Sequence, residues 1–203
     1  MIHTTLKLPP TVIDLIFGQN LASSVVFVAA GAAVTALAAQ FVVPLYPVPV
    51  TAQSLAVLVV GMALGAVRGA AAIILYIALG AFGLPVFGDA GSGVAVLLGP
   101  RGGYIAGFVV SAALVGFLAE RNWDRTFARA VAAASVATSS TFTIGVIGLS
   151  FALQRMGREI SLLGLLESGV APFLLGEGLK IVVASALFSQ CWKVILRERP
   201  VAR

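Results

Sequence analysis

Pro172-Phe173-Leu174-Leu175-Gly176-Glu177-Gly178-Leu179-Lys180 runs directly into Ile181-Val182-Val183-Ala184-Ser185-Ala186-Leu187-Phe188. An apolar stretch of about 20 residues is what one helical crossing of a bilayer requires. Pro172 suits the first turn of a helix, where its missing N–H is no loss, and Glu177 and Lys180 then share one face, three residues apart. Each ionisable side chain costs roughly 2.5–3.5 kcal/mol at the centre of a membrane helix, so such residues turn inward and mark a ligand site or a pathway. At about 1.5 Å per residue, Glu177 sits roughly 8 Å from the helix start, in the outer half of the membrane. A self-neutralising structural ion pair is the competing reading. Gly176 and Gly178, which permit close approach beside the glutamate, favour a ligand.

The rest of the chain has the same character. Of 203 residues, 60% are hydrophobic and 10% charged, and the mean hydropathy is +1.06, outside the balance of a soluble domain. Six apolar stretches fall at about 21–43, 50–67, 69–84, 103–119, 127–153 and 172–195. They predict an all-α integral membrane protein, a single transmembrane domain over 1–203 with six spans. The second and third are short and separated only around Arg68, which reads as a tight helical hairpin. Ala36-Leu37-Ala38 resembles a signal cleavage site, but the run from residue 21 exceeds a signal core of about 7–15 residues and is expected to stay as a span.

The 13 Lys and Arg outnumber the 8 Asp and Glu, a sparse excess that sets topology rather than binding nucleic acid. With both termini in the cytoplasm, Lys7, Arg68, Arg121, Arg125, Arg129, Lys193, Arg197, Arg199 and Arg203 lie inside. Arg101, Arg155 and Arg158 lie outside, and Lys180 lies within the membrane. Cys191 and His3, the single cysteine and histidine, supply too little for a metal site or a Ser-His catalytic centre. Neither a catalytic residue nor a cofactor is expected. No phosphate-cradling Gly-rich loop occurs, so any ATP must be hydrolysed by partner chains.

The external connections are distinctive. Pro44-Leu45-Tyr46-Pro47-Val48-Pro49-Val50-Thr51 reads as a rigid turn. Residues 83–103 are rich in Gly yet apolar over 94–98; irregular backbone of this kind is tolerated near a membrane where it lines or covers a site. Gln53, Asp89, Ser92 and Arg101 converge with Glu177 and Lys180 on the outer side, with Tyr46, Phe87 and Tyr104 as candidate walls. The hydroxyls from Ser135 to Thr143 are expected to bond mostly to backbone or neighbouring helices. In the first span, Ala29 with Ala33, or Ala32 with Ala36, offers small residues four apart for docking a partner helix.

Four segments in order carry a resemblance: Pro47-Val48-Pro49-Val50-Thr51-Ala52-Gln53, Gly80-Ala81-Phe82-Gly83-Leu84-Pro85-Val86-Phe87, Gly99-Pro100-Arg101-Gly102-Gly103-Tyr104-Ile105-Ala106-Gly107-Phe108, and Pro172 to Lys180. With these the chain resembles the BioY family, the biotin-specific S component of energy-coupling factor (ECF) transporters of the bacterial cytoplasmic (inner) membrane. The resemblance implies a six-helix S component that binds biotin beneath its external loops. It also implies a transmembrane T component and two ATPases, contacted through small residues of the first helix. The chain departs from the family where Glu177 replaces the usual Asp and Arg101 replaces a common Thr.

Biotin's chemistry suits these residues. Glu177 can accept from the ureido N–H groups, and Lys180 or Arg101 can meet the carboxylate tail, Arg by a bidentate contact and Lys as a point charge. The alternatives are an S component for another small vitamin, an integral membrane enzyme acting on a lipid with Glu177 as base, and a scaffold without ligand. The enzyme reading lacks paired Asp residues for Mg²⁺ and an activated nucleophile.

Overall fold

The computed structural model describes residues 11–18, 20–158 and 160–198. His3, Lys7, Arg199 and Arg203 lie outside the described residues. Helices follow the apolar runs: α1 (Val12–Phe17), α2 (Leu21–Ala39), α3 (Gln53–Leu64), α4 (Ala66–Ala81), α5 (Val94–Leu98), α6 (Gly102–Glu120), α7 (Phe127–Arg155), α8 (Leu162–Gly169) and α9 (Leu174–Glu198). Four stretches are long and apolar enough to cross a membrane, Leu21–Ala39, Gly102–Glu120, Phe127–Arg155 and Leu162–Arg197, the last including α8 and α9. The shorter apolar helices α3 and α4 occupy the second and third expected spans, and Gly65 alone separates them.

The departures from the sequence reading are local. The chain is not purely helical: β1 (Val42–Val43) and β2 (Val50–Thr51) pair antiparallel, with Val42 opposite Thr51. The first apolar run therefore ends as a helix at Ala39, because the prolines at 44, 47 and 49 cannot supply helical donors. The apolar patch in the glycine-rich connection forms the short helix α5, and α8 precedes α9. At the other end, α1 is fixed by a buried acid: Asp14 bonds with Thr11 in a capping box and pairs with Arg68, its Oδ1 2.7 Å from Nη1 and its Oδ2 2.8 Å from Nη2. Arg68, read from sequence only as a topological charge, is thus also a structural partner.

Apolar side chains cover the outside: Leu175, Leu179, Val182 and Leu187 on α9 and Leu21, Val25, Val26 and Leu37 on α2 are exposed. The interior is built largely of small residues that let helix backbones approach. A Cβ on Gly107 of α6 would lie 3.0 Å from the Thr141 Cα of α7, and one on Gly103 would lie 2.8 Å from the Gly148 Cα. This contact brings Tyr104 and Thr141 to one cavity wall.

The described cations other than Lys180 divide between the two ends. Ala66 N–H donates to Glu120 and Trp192 donates to Asp124. These contacts gather Arg68, Arg121, Arg125, Arg129, Lys193 and Arg197 at the end where α4 and α7 begin and α9 finishes. Arg101, Arg155 and Arg158 lie at the opposite end, where Arg158 donates to the Tyr46 hydroxyl at 2.6 Å.

Candidate functional site

A cavity opens at the Arg101 end, between the β1–β2 connection, α3, α6, α7 and α9. Its walls are Val48, Pro49, Phe87, Ile105, Phe108, Phe142 and Phe173, with the Tyr104 ring. The polar lining comes from Thr51, Gln53, Ser54, Arg101, Ser111, Thr138, Thr141 and Glu177. From Arg101 to Ser111 the lining descends α6 by about 15 Å at the helical rise, half the depth of a hydrocarbon core. A mostly apolar cleft with a few placed polar groups is the usual form of a small-molecule site.

Each wall has a local cause. The Phe87 ring is fully buried because Gly80 leaves room for it; a Cβ there would strike the ring. Phe87 also meets Tyr76 edge-on, with ring centroids 5.5 Å apart. Tyr104 lies over Gly145, and its hydroxyl donates to the Gly169 carbonyl at 2.7 Å, which ties α6 to the end of α8. Phe173, in the turn Ala171–Phe173 before α9, stacks on Tyr104 at 6.1 Å.

The polar centre is the first turn of α9. Glu177 is buried, and its Oε1 accepts from Lys180 Nζ at 2.7 Å and from Ser54 Oγ at 2.7 Å. Lys180 also donates to the Thr51 carbonyl at 2.6 Å and to Ser54 Oγ at 2.9 Å. An ammonium has three donors, and all are used. Glu177 Oε2, by contrast, is buried without a hydrogen-bond partner among the described residues, on a side chain that lines the cavity. Gln53 is oriented similarly: Thr51 Oγ1 donates to its Oε1 at 2.9 Å, its Nε2 donates to the Tyr76 hydroxyl, and a second amide hydrogen remains.

At the mouth, Arg101 donates from Nη1 to the Gly88 carbonyl at 2.9 Å and from Nη2 to Asp89 Oδ2 at 3.1 Å. The same turn is held from the other side by Gln40, which accepts from Ala90 N–H at 3.2 Å and donates to the Phe87 carbonyl at 3.3 Å.

The structure therefore brings Glu177, Gln53, Arg101, Phe87 and Tyr104 to one cavity and leaves the other expected residues outside its lining. Lys180 stands behind Glu177, Asp89 and Ser92 are exposed on the covering loop, and Tyr46 is 71% exposed beside Arg158. The flanking glycines do not do what the sequence suggested: a Cβ on Gly178 would meet nothing, and one on Gly176 only Val50 at 3.9 Å. The α7 hydroxyls divide. Ser139, Ser140 and Thr143 bond to backbone carbonyls one turn back, whereas Thr138 and Thr141 line the cavity. Ser54, Thr51 and Phe173 were not singled out from sequence. Ser54 lies one residue beyond the Pro47–Gln53 segment, and only the packing of α3 on α9 reveals its role.

The BioY family model matches residues 10–197. The chain belongs to the BioY family. A relative named biotin transporter BioY from Thermotoga maritima is 36% identical over 71% of this chain and 81% of its own length. A biotin transporter BioY from Rhizobium etli is 35% identical, over 70% of this chain and 76% of its own. A probable biotin transporter BioY from Lysinibacillus sphaericus, 31% identical, aligns over 90% of this chain and 93% of its own. The fold matches a crystal structure of the S-component for biotin from an ECF-type ABC transporter, with a TM-score of 0.72, 24% identity, and coverage of 88% of this chain and 92% of that one. The architecture of this BioY-family chain is that of an S component, and its relatives are named as transporters rather than enzymes.

Proposed function

We propose that this chain is the substrate-binding S component of a biotin transporter, set in the bacterial cytoplasmic membrane by six helices with both termini in the cytoplasm. The observation that carries the reading is the buried Glu177 in the lining of a mostly apolar cavity, with its Oε2 lacking a hydrogen-bond partner among the described residues. A buried acceptor without a donor costs about 1–3 kcal/mol, and a ligand N–H removes that cost. The ureido group of biotin presents two such N–H donors. Gln53 supplies a further donor for the ureido carbonyl, the aromatic walls take the bicycle, and Arg101 at the mouth takes the carboxylate tail. Lys180 positions Glu177 instead of meeting the tail itself. Family membership and the excess of described cations at one end, expected for the cytoplasmic side, support the same assignment.

Energy comes from outside the chain in this account. An ECF T component and two ATPases are the partners, docking on the outer face of α2 through Ala29 and Ala33, which are exposed. Ala32 and Ala36 are taken up in packing against the other helices. The test is biotin uptake in a biotin-auxotrophic host expressing this chain alone and then with an ECF module. Uptake that depends on the chain supports the reading, and no uptake in either setting contradicts it.

A further inference from the structure

We propose that Asp89 is an internal substitute for the ligand's carboxylate: it occupies Arg101 in the empty protein and gives it up when an anionic tail enters. The proposal rests on the reading that Arg101 receives a carboxylate.

Among the described residues, Arg101 is the one cation that lines the cavity. Its charge is already matched, since Nη2 lies 3.1 Å from Asp89 Oδ2 while Nη1 holds the Gly88 carbonyl. The Asp89 side chain is 57% exposed and does not line the cavity, whereas the Arg101 side chain is 33% exposed and does. The acid therefore neutralises the guanidinium from its solvent side. A ligand carboxylate arriving from the cavity meets a cation whose Nη1 and Nη2 are both engaged, with a second anion beside it. Full recruitment of the charge requires the Asp89 contact at Nη2 to be given up, while the bond from Nη1 to the Gly88 carbonyl can stay.

The backbone at this position suits the acid. Asp89 has φ 58° and ψ 39°, a left-handed conformation that Asp and Asn tolerate better than other non-Gly residues. The turn is anchored independently of Asp89 by Gln40 bonding to Ala90 and Phe87. Loss of the carboxylate charge therefore leaves the turn in place.

The experiment is equilibrium binding of biotin and of biotin primary amide, whose tail is neutral, to the purified full chain. Asp89→Asn is expected to bind biotin about two- to fivefold more tightly, the range of an exposed ion pair, and to bind the amide as the wild type does. Asp89→Gly, which suits the same backbone, gives the same gain. In an Arg101→Gln background the gain disappears. Unchanged or weaker biotin binding by both Asp89 variants overturns the proposal, as does a gain that persists without Arg101, which would report a general field effect. Either result leaves the biotin assignment standing, whereas a wild type that binds no biotin removes both.

Discussion

Lys180 Nζ lies 2.7 Å from Glu177 Oε1 across one turn of α9, and the same ammonium donates to the Thr51 carbonyl and to Ser54 Oγ. With its three donors filled, the lysine fixes one carboxylate oxygen against α3 and leaves the other, Oε2, without a hydrogen-bond partner among the described residues. The pair is therefore structural, and in the proposed function Oε2 is the acceptor for a ligand N–H.

Replacing Lys180 by Met should strip that support. Breaking a buried pair on one side leaves an uncompensated charge and costs about 3–5 kcal/mol. The thermal midpoint of the purified protein should fall, and biotin affinity should drop at least tenfold, equivalent to about 1.4 kcal/mol. The double variant Lys180→Met/Glu177→Gln should recover much of the stability but not the binding.

Arg101→Thr installs the residue the family commonly carries. If Arg101 holds the tail, biotin affinity should fall about tenfold, as for loss of a charge-assisted contact of about 1.5 kcal/mol, while the affinity for biotin primary amide stays within about twofold. Isothermal titration of both ligands checks this.

The two alanine pairs of α2 should respond oppositely to enlargement. Ala29→Leu with Ala33→Leu, on the exposed face, should leave biotin binding intact and reduce uptake energised by an ECF module. Ala32 is 1% exposed, and Ala32→Leu should overpack the core by about 1–3 kcal/mol and lower the thermal midpoint even without partners.

Asp124, in the turn between α6 and α7, gives a pH signature. Burial pushes its carboxyl up from the ordinary 3.8 to about 6, against the opposing hydrogen bond from Trp192 and the charge of Arg125. The folded chain thus holds this proton more tightly than the unfolded one. The contribution of Asp124 to stability is full below pH 3.8 and is lost as the pH rises to about 6, a change of up to about 3 kcal/mol. Asp124→Asn should remove that slope. Thermal midpoints at pH 4, 5, 6 and 7 should show the wild type losing stability relative to the variant up to about pH 6 and no further.

The long apolar helices were legible from sequence because hydropathy is a local property. The six apolar runs coincide with α2, α3, α4, α6, α7 and α9, with ends shifted by a few residues where prolines or glycines intervene. The strand pair β1–β2 was not legible, since its two-residue arms carry no periodic signal, and α1 depends on the Asp14–Arg68 pairing, which joins residues 54 positions apart. At the site, Glu177 stood out because a carboxylate in an apolar helix is costly and needs a reason. Which of its neighbours would touch it was not legible. Lys180 shares its face yet points to α3, and Ser54, an ordinary hydroxyl in sequence, completes the triangle. Tyr46 reads as a wall but turns out to Arg158, because its placement is decided by the fold of the 44–49 turn.

The most direct measurement is equilibrium biotin binding to the purified wild-type chain and to Glu177→Gln, side by side. The account predicts saturable binding of one biotin per chain by the wild type and at least a tenfold weaker affinity in the variant. A wild type that does not bind biotin, or a Glu177→Gln variant that binds it equally well, would contradict it.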